Sequence, residues 1–199
     1  RTGMRILLAC LFSILALPLA AQDRPQAILV LDASGSMWGQ IDGTAKIEIA
    51  QSVVGDLLTT LDLDQALGLT VYGHRVKGDC SDIETLVLPG ADTRAAIAAA
   101  VNAISPKGKT PLSDAVIQAA EALKYTEEAA TVILVTDGLE TCERDPCAVG
   151  RALEQAGISF TAHVIGFDVA EGDRAQLQCL AEETGGSYLN ASNASELGA

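Results

Sequence analysis

Positive charge is scarce in this sequence. Thirteen lysines and arginines face twenty-six aspartates and glutamates, a net charge of −13 over 199 residues. That balance argues against nucleic acid or an anionic membrane as partner, and it suits solubility and the recruitment of divalent cations. Histidine is nearly absent: only His74 and His163 occur, which leaves catalytic schemes short of their usual base. His163 lies inside an apolar strand-like run and reads as a core residue. No apolar run is long enough for a confident membrane span of ~20 residues. No glycine-rich phosphate motif follows the first strand, and no internal repeat or low-complexity stretch is present. What the chain does have is apolar content, 49% of its residues, enough for the core of one domain.

The first twenty-one residues stand apart. Arg1 and Arg5 precede an apolar run from Ile6 to Leu17, followed by Pro18-Leu19-Ala20-Ala21 and the polar Gln22-Asp23-Arg24-Pro25. This is the charged, apolar, small-residue order of a secretory signal, with Gln22 as the expected mature terminus. The competing lipoprotein-type site, Leu7-Leu8-Ala9-Cys10, leaves too few residues between Met4 and Leu7 for an apolar segment. Removing residues 1–21 removes Cys10 and leaves Cys80, Cys142, Cys147 and Cys179. An even number of cysteines in an exported chain favours two disulfides, with three connectivities open. Zinc is the alternative, but Cys142-x4-Cys147 with the others far away matches no common finger.

Beyond the signal, residues 22–199 read as one domain of alternating strands and helices. Ala27–Leu31 is an apolar strand ending at Asp32, followed by a glycine-rich loop. A helix is expected over Ala45–Leu61, where apolar residues recur at helical spacing. Strands follow at Ala66–Tyr72 and Ile83–Leu88, then an alanine-rich helix at Asp92–Ile104. Pro106-Lys107-Gly108-Lys109 breaks it, and Thr110 is expected to cap a helix that has Pro111 at its first position. The strand Thr131–Thr136 ends at Asp137-Gly138. A helix from Pro146 to Gln155, a strand Phe160–Phe167, a helix Gly172–Glu183 and a strand Ser187–Asn190 complete the order. Ala194–Ala199 reads as the opening of a further helix. Strands apolar along their whole length imply an α/β fold: three layers, doubly wound, a mostly parallel sheet with one antiparallel edge strand and helices on both faces. Ligands bind such sheets beyond the carboxyl ends of the strands, where Asp32 and Asp137 sit.

The loop Asp32-Ala33-Ser34-Gly35-Ser36-Met37 places three oxygen-bearing side chains at alternate positions, with Gly35 free to make the turn. Carboxylate and hydroxyl oxygens suit a hard cation such as Mg2+, with Mn2+ or Ca2+ as alternatives. Three ligands cannot fill six positions, and Thr110 and Asp137 offer two more oxygens from other loops at the same end of the sheet. Each residue alone has an ordinary explanation, a turn serine or a helix cap. The five together, in this order on this scaffold, point to a metal site. The set Asp32-x-Ser34-x-Ser36, Thr110 before Pro111 and Asp137 before Gly138 resembles the metal-ion-dependent adhesion site of the von Willebrand factor A family. The segments YGHRVKGDCSD and TDGLETCERDPC look like its exported bacterial branch.

The resemblance implies a binding module, not an enzyme. Ser34, Ser36 and Thr110 would be direct ligands, and Asp32 and Asp137 direct or water-mediated ones. Two carboxylates and three neutral hydroxyls leave a divalent cation under-neutralised, so it would take a carboxylate from a protein partner. The family's sheet order also implies Cys80–Cys142 with Cys147–Cys179, ahead of a short Cys142–Cys147 bridge. Trp38, just past the metal loop, reads as core or as binding rim, and His74 as a loop residue or a second rim residue. A structural assembly domain of a larger envelope protein is the alternative function. A Cys80–His74 nucleophilic pair and a metal-dependent hydrolase are the remaining enzymatic readings.

Overall fold

The computed structural model describes residues 24–138 and 140–191, with side chains described through residue 189. The signal segment 1–21, Cys10 and the helix expected at Ala194–Ala199 lie outside the described residues. The elements are β1 (Gln26–Asp32), a 3-10 turn (Gly35–Trp38), β2 (Gln40–Ile41), β3 (Thr44–Ala45), α1 (Lys46–Thr60), β4 (Ala66–Tyr72) and β5 (Ile83–Gly90). They continue with α2 (Arg94–Asn102), α3 (Leu112–Ala122), β6 (Ala130–Thr136), α4 (Pro146–Ala156), β7 (Phe160–Phe167), α5 (Glu171–Glu183) and β8 (Tyr188–Ala191).

Six strands form one sheet in the order β5-β4-β1-β6-β7-β8. Neighbours pair in parallel, except that the edge strand β5 runs antiparallel to β4. The apolar continuity of β1 follows from burial on both faces. Ala27, Leu29 and Leu31 enter the core under α1 and α2. Ile28 and Val30 enter the opposite core with Leu112, Val116, Leu153 and Leu177 from α3, α4 and α5. One residue of register slip would exchange the two sets. The chain passes from β1 to β4 and β5 on one side, then to β6, β7 and β8 on the other. Strand order therefore reverses beside β1, and the carboxyl ends of β1 and β6 flank the resulting crevice.

Two local features differ from expectation. The loop after Asp32 contains a hairpin, β2–β3, closed by Asp42 and Gly43 at φ 50° and 84°. Successive left-handed residues are what a two-residue turn between right-twisted strands requires, and Asp-Gly supplies them. Thr110 is not a helix cap. Pro111, at φ −81° and ψ 53°, takes the position flanking α3, and its carbonyl accepts the amide of Ala115 at 3.0 Å. The open amide of Ser113 goes instead to Glu140 Oε2 at 2.9 Å. By contrast, α4 starts conventionally: Asp145 Oδ1 accepts the amides of Cys147 and Ala148, with Pro146 at the first helical position.

Candidate metal centre

β1 delivers Asp32 fully buried to the crevice. Its Oδ1 accepts the Ser34 amide at 2.8 Å, and its Oδ2 accepts the Thr136 hydroxyl at 2.7 Å. Buried Tyr72, the last residue of β4, donates its hydroxyl to Thr136 Oγ1 at 3.3 Å. A relay from β4 through β6 thus fixes the Asp32 carboxylate from behind. The Ser34 and Ser36 hydroxyls lie 2.9 Å apart, and Ser36 Oγ donates to Asp137 Oδ1 at 2.8 Å. Asp32, Ser34, Ser36 and Asp137 therefore form one hydrogen-bonded chain.

Thr110 stands on the adjoining loop. Gly35 donates its amide to the Gly108 carbonyl at 3.0 Å, and Ser34 bridges Gly108 in parallel. Thr110 is clamped through its backbone, its amide donating to Thr141 Oγ1 at 2.8 Å and its carbonyl accepting the Thr141 amide at 3.1 Å. Its hydroxyl makes no hydrogen bond to any described residue. That geometry removes the cap role and leaves Thr110 buried, two residues beyond the Gly108 that pairs with Ser34.

Burial, and secondarily the nearby Asp137 carboxylate, push the Asp32 carboxyl up to about 6, although the bonds from Ser34 and Thr136 pull the other way. Two buried carboxylates linked by hydroxyls are hard oxygen donors whose mutual repulsion a divalent ion would relieve. The residues present fit such an ion.

Sequence reasoning missed Lys46 and Asp168. Lys46, the first residue of α1, puts Nζ 3.0 Å from Asp137 Oδ2 and 2.9 Å from Asp168 Oδ2. Burial opposes its charge, but the bonds to Asp168 and Asp137 outweigh burial and hold its pKa above the usual lysine value. Asp168 follows β7 in the left-handed region, at φ 54°. The rule that singled out Asp32 and Asp137, a carboxylate at the carboxyl end of a strand, also applies to Asp168. Thr136 and Thr141 leave no comparable trace, since their roles depend on contacts across the sheet.

The remaining candidates divide. Trp38 is 55% exposed, not core, and its indole donates to the Pro106 carbonyl at 2.9 Å, just past the Asp32–Met37 loop. His74 Nε2 faces Glu84 Oε2 at 3.1 Å, and its buried Nδ1 has no partner among the described residues. Cys80 is bonded to Cys142, so the thiol required for a Cys80–His74 nucleophilic pair is not free. Cys147 is bonded to Cys179, which ties the start of α4 to α5. These sulfurs lie near Glu183 in a cluster of ligand-type atoms, but a disulfide is not a thiolate pair and offers zinc no site. His163 Nδ1 accepts the Ser187 amide at 3.1 Å, a structural role.

Known proteins resemble this chain in sequence or in fold. An uncharacterised Bacillus subtilis protein, YwmC, is 30% identical over 172 residues, spanning 82% of this chain and 75% of its own length. A second, YwmD, is 28% identical over 84% of this chain and 79% of its own length. Among solved structures, a von Willebrand factor type A protein from Catenulispora acidiphila superposes with a TM-score of 0.67 at 20% identity, over 88% of this chain. The pilus adhesin SpaC of Lactobacillus rhamnosus GG gives 0.69 at 18% identity, over 87% of this chain. This chain spans only 40% and 29% of the lengths of those two proteins. The proximal thread matrix protein 1 of the mussel byssus, described with a zinc-occupied MIDAS motif, gives 0.63 at 18% identity over 86% of this chain and 42% of its own. Residues 27–140 match the von Willebrand factor type A domain directly, and the chain belongs to that family.

Proposed function

We propose that this domain is a metal-dependent binding module outside the cytoplasm, not an enzyme. A divalent cation, Mg2+ with Mn2+ or Ca2+ as alternatives, would be held by Asp32, Ser34, Ser36, Thr110 and Asp137. It would take an acidic side chain of a protein partner as its last ligand. The observation that carries the reading is the hydrogen-bonded chain of Asp32, Ser34, Ser36 and Asp137, which sets two buried carboxylates and two hydroxyls side by side. Hydroxyl ligands add no negative charge, so the ion would keep charge to offer an anion.

The surroundings favour an acidic partner. In a chain of net charge −13, the exposed Lys77, Lys107 and Lys109 sit on two loops beside the metal loop. Those loops are joined by hydrogen bonds from the Lys107 and Gly108 amides to the Gly73 carbonyl, at 3.0 and 2.7 Å. Exposed Trp38 offers an apolar, hydrogen-bonding contact beside them, a residue type enriched at binding hot spots. Export by a signal at residues 1–21 belongs to the same proposal, and the two disulfides support an oxidising compartment. No described helix is long and apolar enough to cross a membrane.

The test is affinity capture from a cell-envelope extract in Mg2+, repeated with chelator and with Asp32→Asn. Capture should be lost in both controls, and free acidic peptide should compete. Capture indifferent to chelator would instead assign the domain to structural assembly.

A further inference from the structure

Lys46 is placed where local stability alone would not put it. A cation at a helix N-terminus opposes the helix dipole, and the Lys46 side chain keeps only 12% of its exposure. The hairpin β2–β3 leads into this position, and Lys46 anchors its amide on the Gly39 carbonyl at 2.8 Å. Space at Gly39 is tight, since a Cβ there would stand 3.0 Å from the Ser36 carbonyl and 3.3 Å from Lys46 Cε. The lysine stem therefore passes against the metal loop itself. At its tip, Nζ joins Asp137 to Asp168, whose left-handed backbone is an uncommon state outside glycine.

The two oxygens of Asp137 are divided between two roles. Oδ1 faces Ser36 and the chain leading to Asp32, and Oδ2 faces the ammonium. We propose that Lys46 is a resident counter-cation of this site: by neutralising one oxygen of Asp137 it weakens the hold on a divalent ion and leaves a bound ion more attractive to an anionic ligand. The proposal rests on the metal-site reading above. Like charges at short range in a partly buried site repel strongly, so the expected effect is large. It also trades metal affinity against ligand affinity, because charge not met by Asp137 remains to attract the partner's carboxylate.

The experiment measures Mn2+ affinity by calorimetry in the parent, Lys46→Met, Lys46→Arg and Asp168→Asn. Acetate binding to the Mn2+-loaded proteins is then followed by water-proton relaxation as coordinated water is displaced. Lys46→Met should bind Mn2+ about tenfold or more tightly than the parent and acetate several-fold more weakly. Lys46→Arg should resemble the parent. Asp168→Asn, at a largely exposed position, should weaken Mn2+, and adding Lys46→Met to it should restore tight binding. A merely structural lysine would loosen the site, so Lys46→Met and Asp168→Asn would then both weaken the metal. That result, or equal Mn2+ affinity in parent and Lys46→Met, overturns the assignment while leaving the metal site standing. Absence of saturable Mn2+ binding in the parent removes the metal site and this role together.

Discussion

The carboxylate of Asp32 is fully buried beside Asp137, and without a metal that placement opposes folding. Its folded pKa, raised to about 6, means the native state holds this proton more tightly than the unfolded chain. The sign follows: this group's contribution favours folding at low pH and is lost as pH rises from about 4 to 6. Asp32→Asn keeps an acceptor for the Ser34 amide and removes the charge. It should therefore raise metal-free stability at pH 7, by on the order of 1–3 kcal/mol, in chemical denaturation. An unchanged or lowered midpoint would show that the aspartate is better solvated than its burial implies. Thr110→Ala should weaken Mn2+ binding without the ~1 kcal/mol cost of a lost cap, since the residue caps nothing, and Thr110→Ser should restore the affinity. Parallel calorimetry and thermal melts separate the two effects. The meeting of Asp32, Ser34, Ser36 and Asp137 was legible because Asp32 and Asp137 stand at the carboxyl ends of β1 and β6 and the serines lie on the loop that follows β1. Lys46 was not, because a lysine in a helical pattern looks solvated until the fold sets carboxylates against it.

At the scale of elements, the strands and helices followed from apolar runs and helical periodicity, and their order gave the sheet. What escaped was local chemistry that the periodicity does not encode. Asp42-Gly43 carried the signal of a tight hairpin but lay in a stretch without alternating apolar residues. Pro111 suits either the first helical position or the residue before it, and only the fold decides. Glu140, reaching from the loop after β6, bonds the amides of both Ser113 and Cys142, at 2.9 and 2.8 Å. Glu140→Ala should cost about 1 kcal/mol, as loss of a cap does, which a denaturant titration would read. Gly73 holds the site loops together at φ 70°, and a Cβ there would lie 2.5 Å from the Lys109 carbonyl and 3.0 Å from Ser34 Cα. Gly73→Ala should cost more than ~1 kcal/mol and weaken Mn2+ binding, because relief of the clash displaces the Ser34 and Lys109 backbones. Unaltered Mn2+ affinity in that variant would mean the loops adjust independently of the site.

Across the whole molecule, the two disulfides connect segments 62 and 32 residues apart in sequence. Cys80–Cys142 joins the loop after β4 to the loop after β6, on the two sides of β1. Each bridge should contribute ~2–4 kcal/mol, so reduction should lower the melting temperature by several degrees per bond. Removing Cys80–Cys142 should also weaken metal binding, and removing Cys147–Cys179 should not. The doubly wound sheet explains why these loops meet: strands buried on both faces leave only their ends free for chemistry. The most direct test is calorimetric titration of the metal-free protein with Mn2+ at pH 7, alongside folded Asp32→Asn. The account predicts one saturable site in the parent, a rise in thermal stability with metal concentration by mass action, and loss of both in the variant. No saturable binding in the parent, or equal binding in the variant, would contradict it.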